Sequence, residues 1–286
     1  MALPEWRLDS ETGVLTDVLL APPEHFRLLP FNAVARRSIA GGRAADPARA
    51  RAQHAALVAL LEAEGVRCHL VPPAPELPLQ VYTRDPGVVT PFGPVVLQPF
   101  RPERRGEIAP LIRFLAGNGG ALPRFATAGP IEGGDLHVVR PGLVLVGCTG
   151  ERTTEAAAAQ FAGWFEAIGW EARIIRFPEH FLHLDCLFGM VAEGLAVACE
   201  EVLGEEVLAF LDDRGIRRVP VGYREVMAMG ANLLSLGRER VVSPAGNARI
   251  NAALRAEGLA VLEPELSEFT PMGGSVHCMT MPLRRV

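Results

Sequence analysis

Four short polar segments interrupt the apolar stretches of this sequence. They are TRDP (83–86), IEGGD (131–135), HLD (183–185) and GGSVHCMTMPL (273–283). The last contains Cys278, and the third contains His183 beside Asp185. A thiol, an imidazole and carboxylates are the groups of nucleophilic catalysis, because a base can activate the thiol and a carboxylate can orient the base. A cysteine is also often only a small buried hydrophobe, so its surroundings decide.

Each segment by itself also has a structural interpretation. Asp85 stands before a proline, as turn-forming aspartates do. Glu132 and Asp135 flank two glycines that suit a bulge or a close backbone approach. His183 and Asp185 are two residues apart, so a strand through HLD would point both side chains to one face. Apolar neighbours would surround them there, where an unpaired charge is costly.

A metal site is the rival interpretation of the same residue types. The set contains one histidine and one cysteine, and the sequence has no HExxH and no CxxC. Zinc and other transition-metal sites usually need a richer set of nitrogen and sulfur ligands. We therefore predict no metal. The five cysteines are predicted to be reduced, with those other than Cys278 packing in the core. In a strand, Cys186 would point away from Asp185, and His277 away from Cys278.

The elements that must position these residues repeat along the chain. Five stretches have the apolar spacing of amphipathic helices, and each ends at a glycine suited to a left-handed C-cap. The stretches are 46–64, 104–118, 153–168, 200–214 and 246–257, with Gly65, Gly119, Gly169, Gly215 and Gly258. Each glycine leads into a strand-like segment: VRCHLV, ALPRFA, WEARIIRF, IRRVPV and LAVLEP.

Two apolar strands joined by a turn precede each of the later four helices. These hairpins open on Asp85, Asp135, Asp185 and Asn232, with separations of 50, 50 and 47 residues. A further 46 residues reach Cys278, and 53 residues back from Asp85 stands Asn32. The repeat predicts an α/β fold of about five ββαβ units of roughly 50 residues. If the units close a ring, these polar residues converge on its central pocket.

Composition limits the class of protein. The formal net charge of −5 disfavours a nucleic-acid-binding surface, and no apolar run is long enough to span a membrane. The N-terminal residues have no signal-peptide pattern, so we expect a cytoplasmic protein. We expect residues 1–286 to form a single catalytic domain. A homodimer is the base-rate expectation for its assembly.

The ordered set TRDP, IEGGD, GERTT (150–154), HLD and GGSVHCMTMPL resembles the guanidino-group modifying enzymes of the pentein superfamily. These include arginine deiminases, dimethylarginine dimethylaminohydrolases and amidinotransferases. The resemblance extends from about Val81 to Leu283, and weakly to APPEHFRLLPFN (21–32). It implies a pentein-type α/β propeller of five pseudo-symmetric ββαβ repeats, in agreement with the repeat described above.

The resemblance also implies roles for individual residues. Cys278 matches the nucleophile, His183 the general acid and base, and Glu132 the carboxylate partner of that histidine. Asp85 and Asp185 match the pair that grips the guanidinium group. Bidentate carboxylates suit this planar, protonated group.

Three further residues match those that hold the amino-acid end of the substrate in arginine deiminases, namely Asp135, Arg104 and Arg152. The chain departs from those enzymes at Gly273, where they carry an arginine. Its length is closer to that of a dimethylaminohydrolase. Residues 22–40 are interpreted either as a flap over the pocket or as an ordinary surface loop.

The implied function is a cysteine-dependent hydrolase of a small guanidino substrate, without a cofactor. An N-methylated arginine, converted to citrulline and methylamine, is the preferred substrate. An arginine deiminase, an arginine dihydrolase and an amidinotransferase are the enzymatic alternatives. A non-catalytic binding module for guanidino compounds is the non-enzymatic one, although binding alone would require only the carboxylates.

Overall fold

The computed structural model describes residues 6–118 and 123–286. This described part forms five three-stranded sheets. Along the chain the strands are β1 (Leu15–Leu20), β2 (Arg67–Leu70), β3 (Gly87–Thr90), β4 (Gly93–Val96), β5 (Arg124–Phe125), β6 (Leu136–Arg140), β7 (Leu143–Cys148), β8 (Glu171–Arg176), β9 (Phe188–Ala192), β10 (Leu195–Ala198), β11 (Arg217–Pro220), β12 (Leu234–Gly237), β13 (Arg240–Val242), β14 (Ala260–Leu262) and β15 (Met281–Arg285).

The helices connect strands on the outside of the ring. They are α1 (Ala33–Ala40), α2 (Pro47–Ala63), α3 (Ile108–Gly117), α4 (Glu155–Glu166), α5 (Glu200–Leu203), α6 (Glu205–Asp213), α7 (Tyr223–Val226) and α8 (Ala248–Ala256). Local sequence fixes several starts. Asp46 and Thr154 cap the first turns of α2 and α4 by accepting backbone N–H bonds.

All five sheets have the same topology. The first two strands are antiparallel, and the third runs parallel to the second after a helical crossover, as in β6, β7 and β8. Burial falls across each sheet: β7 is buried throughout, whereas β8 is mostly exposed or half-buried. The first strands therefore lie inward and the third strands form the rim.

The ring closes through the two ends of the chain. β15 pairs antiparallel with β1, and β1 pairs parallel with β2. The fifth ββαβ unit is thus assembled from the C-terminal strand and the N-terminal segment. This closure makes the turn before β15 equivalent to the turns before β3, β6, β9 and β12.

The predicted repeat agrees closely with these elements. Four of the five glycines have the expected left-handed backbone, at Gly65, Gly169, Gly215 and Gly258. The fifth, Gly119, lies outside the described residues, as does part of ALPRFA. The helix predicted over 200–214 is interrupted at Gly204, whose φ of 77° ends α5 before α6 begins.

The strand conformation expected at HLD and around Cys278 is wrong. His183 immediately precedes a 3₁₀ turn over Leu184–Cys186, and β9 begins only at Phe188. Cys278 likewise lies in a turn, ahead of β15. Strand alternation therefore does not set where these side chains point, because the chain bends at the ring axis before each inner strand starts.

The segment 22–40 contains a helix that its weak pattern did not predict. Asn32 caps α1 by accepting the Ala35 N–H at 2.8 Å, and only Ala35 of this helix is buried. Such a short helix has little amphipathic signal, and its stability comes from the cap and from tertiary contacts. Within the described ranges, no helix is long and apolar enough to cross a membrane.

Candidate active site

The polar residue that opens each hairpin lies in the turn before the inner strand of its sheet. Asp85, Asp135, Asp185, Asn232 and Cys278 are all buried, none more than 3% exposed. Their side chains are linked by hydrogen bonds or by shared neighbours across the ring axis. The predicted convergence is therefore present in the structure.

A small cavity opens between these turns. Its volume is about 20 Å³, on the scale of one water molecule. It is lined by Phe31, Asn32, Leu79, Tyr82, Asp85, Arg104, Arg152, Leu182, His183, Met272, Gly273, Gly274 and Cys278. Five predicted site residues face this space, whereas Glu132, Asp135 and Asp185 stand behind it.

Asn232 shapes the turn that carries Cys278. Its Oδ1 accepts the backbone N–H groups of Ser275, His277 and Cys278 at 3.1, 3.1 and 3.2 Å. Its Nδ2 donates to the Cys278 sulfur at 3.1 Å. One buried amide thus fixes both the backbone and the sulfur. The repeat placed Asn232 at this position, but the sequence did not assign it a role.

The Cys278 thiol lies beside a carboxylate. Its Sγ donates to Asp185 Oδ2 at 3.2 Å. Burial, followed by the negative charge of Asp185, raises the pKa of this thiol well above its usual range. In the free protein at neutral pH the side chain is therefore a thiol, and a neighbouring positive charge is needed to form the thiolate.

His183 is held from behind by Glu132. Its Nε2–H donates to Glu132 Oε2 at 2.5 Å. Burial lowers the pKa of His183, but the charge of Asp85 and the Glu132 hydrogen bond outweigh it and raise the pKa to about 9. Burial also opposes ionisation of Glu132, yet Arg152 and His183 hold its pKa well below the usual range. The pair is an imidazolium with a carboxylate.

Asp85 has one occupied and one open oxygen. Arg104 Nη1 donates to Asp85 Oδ2, while Arg104 Nε and Nη2 donate to Glu107 at 3.0 and 2.7 Å. The other oxygen, Asp85 Oδ1, is 3.8 Å from His183 Nδ1. Neither of these two atoms has a hydrogen-bond partner among the residues that the structure describes.

Arg152 and Asp135, both predicted at the amino-acid end of the substrate, have different surroundings. Arg152 lines the cavity and donates to Glu132 Oε2 at 3.0 Å and to the Phe31 carbonyl at 3.2 Å. Asp135 faces away from the cavity. Its oxygens accept from the Leu184 N–H at 2.8 Å and the Thr153 hydroxyl at 2.6 Å. Asp135 therefore anchors the turn of His183, and this geometry does not support substrate contact.

Two side chains near Asp185 do not point in the directions expected from strand alternation. His277 was expected to point away from Cys278, yet His277 Nδ1 lies 2.8 Å from the same oxygen of Asp185 that accepts the thiol. Cys186 was expected to point away as well, but its sulfur lies 3.6 Å from Asp185 Oδ1. Both expectations assumed regular strands, and these residues are in turns. Asp185 stands behind the cavity. Its role as a guanidinium ligand stays a prediction.

The departure at Gly273 has a local cause. Its φ of 91° disfavours other residues, and a Cβ there would lie 3.0 Å from the side chain of Asn32. The segment before α1 supplies Phe31 and Asn32 to the cavity wall. The interpretation of residues 22–40 as a cover for the pocket agrees with this placement. Phe31 and Asn32 were not predicted site residues, and only the FN pair and the spacing of Asn32 singled them out.

The site also contains a group of atoms that could bind a metal ion. Asp85, Glu132 and His183 have ligand-type atoms within 4.8 Å of one another. However, Arg104 and Arg152 already donate to the two carboxylates. Carboxylates that are already paired with guanidinium groups are poor ligands for a metal ion.

The sequence is similar to those of a known enzyme family. The family model described as N,N dimethylarginine dimethylhydrolase, eukaryotic, matches residues 30–285. The chain belongs to this family. YkgA of Bacillus subtilis (strain 168), an uncharacterized protein, is 31% identical over 277 residues, which are 96% of this chain and 94% of YkgA. The dimethylarginine dimethylaminohydrolase of Pseudomonas aeruginosa is 28% identical over 242 residues, covering 82% and 89% of the two chains.

The fold of this family member also matches a solved structure. AgrE, in its ternary complex with ornithine and NAD⁺, has a TM-score of 0.81 at 22% identity. The match covers 94% of this chain and 39% of AgrE. At this identity the likeness concerns the fold, and the predicted pentein-type propeller is confirmed. The protein is a hydrolase of the dimethylaminohydrolase and arginine deiminase type, which acts on guanidino C–N bonds of arginine derivatives.

Proposed function

We propose that this protein hydrolyses an N-methylated arginine to citrulline and a methylamine, with Cys278 as the nucleophile. The observation that carries the proposal is the pair of open atoms in the cavity. His183 Nδ1 and Asp85 Oδ1 are buried and lie 3.8 Å apart, and both residues line the cavity that Cys278 also lines. Within the described ranges both are unpartnered, which is costly unless a ligand supplies the missing bonds.

Asp85 Oδ1 is the acceptor that a guanidinium N–H needs. Asp185 adds negative charge behind Cys278. Arg104 and Arg152 also line the cavity, each paired with a buried carboxylate. A cationic side chain with a carboxylate elsewhere in the substrate suits this mixture of charges. A substrate is larger than a cavity of about 20 Å³, so binding also requires side chains of the wall to move.

The bound cation activates the thiol. A guanidinium beside Cys278 compensates the charge of Asp185 and so favours loss of the thiol proton to solvent, which leaves the thiolate. The sulfur then attacks the guanidino carbon and forms a C–S bond. As the C–N bond to the methylated nitrogen breaks, that nitrogen takes a proton from His183 Nδ1, and the amine leaves.

The second half of the reaction uses the same histidine as a base. Neutral His183 takes a proton from a water that attacks the carbon of the Cys278-bound thiouronium. The C–S bond breaks and returns the electron pair to sulfur. The hydroxyl proton of the adduct restores the Cys278 thiol, and citrulline is released. Glu132 keeps the imidazole oriented in both halves, because it accepts from Nε2 and leaves Nδ1 toward the cavity.

Product analysis tests the proposal. Purified protein is incubated with arginine, monomethylarginine and asymmetric dimethylarginine, and the products are identified by mass spectrometry. Citrulline with methylamine or dimethylamine is expected from the methylated substrates. Cys278→Ser should give none, whereas Cys68→Ser, a half-buried cysteine at the rim, should retain activity. Absence of turnover with all three substrates would contradict the proposal.

Free arginine is the second candidate substrate. The fold is shared with AgrE, whose complex contains ornithine, so ornithine is a product to be sought as well. Citrulline from arginine alone would indicate a deiminase. Ornithine and ammonia from arginine would indicate a dihydrolase, and an amidino group passed to an added amine would indicate an amidinotransferase. Binding of these compounds without any product would indicate a binding module.

A further inference from the structure

A second buried polar cluster lies behind Cys278, on the far side of Asp185 from the cavity. Its members are Glu11, Arg84, His137, His277 and Arg285, each at most 8% exposed. None of them lines the cavity of the candidate active site. Glu11, Arg84 and His137 surround His277. Buried charged groups so close to a nucleophile require a physical explanation.

His277 joins this cluster to the nucleophile. Its Nδ1 is 2.8 Å from Asp185 Oδ2, the oxygen that also accepts the Cys278 thiol at 3.2 Å. Because a carboxylate carries no hydrogen, Nδ1 must be the donor. The other nitrogen, Nε2, is 3.5 Å from Glu11 Oε2. Glu11, His277, Asp185 and Cys278 thus form one continuous chain of contacts.

The groups that face His277 have distinct positions. Asp185 and Glu11 contact its two nitrogens. The ring of His137 stacks on it with centroids 5.3 Å apart and an interplanar angle of 10°. Arg84 donates from Nε to the His277 carbonyl at 3.4 Å, and its Nη1 is 3.8 Å from Glu11 Oε1. The charge of Glu11 also acts on the Arg285 guanidinium.

We propose that His277 is a positioning residue for the nucleophile, which holds Asp185 as an oriented carboxylate against the Cys278 sulfur. Glu11 fixes the imidazole from the opposite side. The inference rests on the proposed function, because it specifies how the guanidine site keeps its negative charge. A buried carboxylate without this donor would take up a proton. A protonated Asp185 would neither accept the thiol at that oxygen nor attract a guanidinium.

The ionisation of Asp185 agrees with this role. Burial opposes its charge, yet the hydrogen bond and charge of His277 hold the pKa of Asp185 well below its usual range. Removal of the Nδ1 donor should raise that pKa. As the pH falls, Asp185 is then protonated earlier, and any step that requires its ionised form is lost at a higher pH than in the wild type.

Two variants separate the donor from the bulk of the ring. His277→Asn places an N–H where Nδ1 stands and can still donate to Asp185. His277→Gln extends toward Glu11 and loses the donor to Asp185. His137→Gln is the control, because it alters the stacked neighbour, whose two nitrogens have no partner in the described part of the chain. Glu11→Gln removes the charge behind the ring and serves if His277→Gln fails to fold.

The measurement compares alkylation of Cys278 by 2-chloroacetamidine, an amidinium cation, and by 2-chloroacetamide, its neutral analogue of similar size. The ratio of the two rates reports the negative charge beside the sulfur and needs no turnover. The ratio is measured as a function of pH. We expect His277→Gln to lower it about tenfold at pH 6 and to move the acidic limb of its pH profile up by about one pH unit. His277→Asn and His137→Gln should keep the wild-type limb, and Glu11→Gln should shift it in the same direction by less.

An unchanged ratio and limb in His277→Gln, or equal shifts in the Asn and Gln variants, would overturn the proposal. The same pH profile is recorded for kcat/KM on the substrates that are turned over. If none of the guanidines is turned over but the alkylation ratios change as expected, the proposed function fails and the positioning role of His277 stands. The two failures are therefore distinguishable.

Discussion

The side-chain amide of Asn232 lies 3.1 Å from the sulfur of Cys278, while its oxygen accepts three backbone N–H groups of the same turn. The two residues are 46 positions apart and occupy equivalent places in successive repeats. One repeat position therefore supports the next. The fold and the nucleophile share the same hydrogen bonds, and this coupling makes the site testable by substitution.

Asn232 should govern both stability and thiol reactivity. Asn232→Ala leaves three buried donors without their acceptor, and we expect it to lower the free energy of unfolding by about 2–4 kcal/mol.

Asn232→Asp keeps an acceptor but adds a charge beside the sulfur and removes the donor, so the thiol pKa should rise further. We expect a smaller stability loss and slower alkylation of Cys278 by chloroacetamide. Urea unfolding and alkylation rates are the measurements. Asn251→Asp, a buried asparagine on α8, is the control, and equal alkylation in both variants would contradict the interpretation.

Gly134 provides the space for the His183 ring. A Cβ at this position would lie 2.6 Å from His183 Nδ1 and 2.8 Å from Cγ. Gly134→Ala should displace the ring and reduce kcat by about 100-fold, because an error of about 1 Å in a catalytic group has that effect. At Gly163 on α4, an added Cβ would have no described atom within 4 Å. Gly163→Ala should therefore keep full activity and gain about 0.5–1 kcal/mol of stability. Comparable activity in the two variants would refute the role of Gly134.

The pair of His183 and Glu132 predicts a pH dependence. The pKa of His183 is raised to about 9, so its protonated form contributes stability that is complete below about pH 6.5. This contribution is lost as the pH rises through the folded-state value. The kcat/KM profile should have its basic limb near the same pH, because His183 must be protonated in the free enzyme.

Glu132→Gln should move that limb to lower pH, since burial then acts on His183 with less opposition. The stability difference between pH 6 and pH 9 should shrink in parallel. Glu155→Gln removes an exposed partner of Arg176 and is the matched control. Thermal denaturation and initial rates across pH 5–10 provide the data. A basic limb at the wild-type pH in Glu132→Gln would show that another group controls it.

Arg104 should stabilise the fold by compensating the charges of two buried carboxylates. Arg104→Ala leaves Asp85 and Glu107 without their cation, and breaking a buried ion pair costs about 3–5 kcal/mol. Burial raises the pKa of Glu107 to about 7 even though Arg104 opposes this, and without Arg104 the value should rise further. Glu107 can then become neutral at low pH, so the loss should be larger at pH 8 than at pH 6.

Urea denaturation at both pH values measures this difference. Arg105→Ala, the exposed neighbour of Arg104, is expected to change the free energy of unfolding by no more than about 0.5 kcal/mol. Equal losses in the two arginine variants, or a loss that does not depend on pH, would count against the buried pair.

The sequence by itself determined the repeat and hence the fold. Helix periodicity, the glycine after each helix and the hairpin patterns are local properties, because they arise from neighbours a few residues apart. Their recurrence near every 50 residues was enough to predict five ββαβ units. It also predicted that Asp85, Asp135, Asp185, Asn232 and Cys278 meet, since equivalent positions of a closed ring face one axis.

Only the tertiary structure decided how the polar groups pair. His183 and Cys278 lie in turns, so strand alternation could not orient them, and His277 and Cys278 share an oxygen of Asp185. Asp135 supports the backbone instead of lining the cavity. The choice among several buried carboxylates and arginines depends on distances between repeats about 50 residues apart. Those distances are set by how the sheets pack around the axis, and a local pattern in the sequence does not contain them.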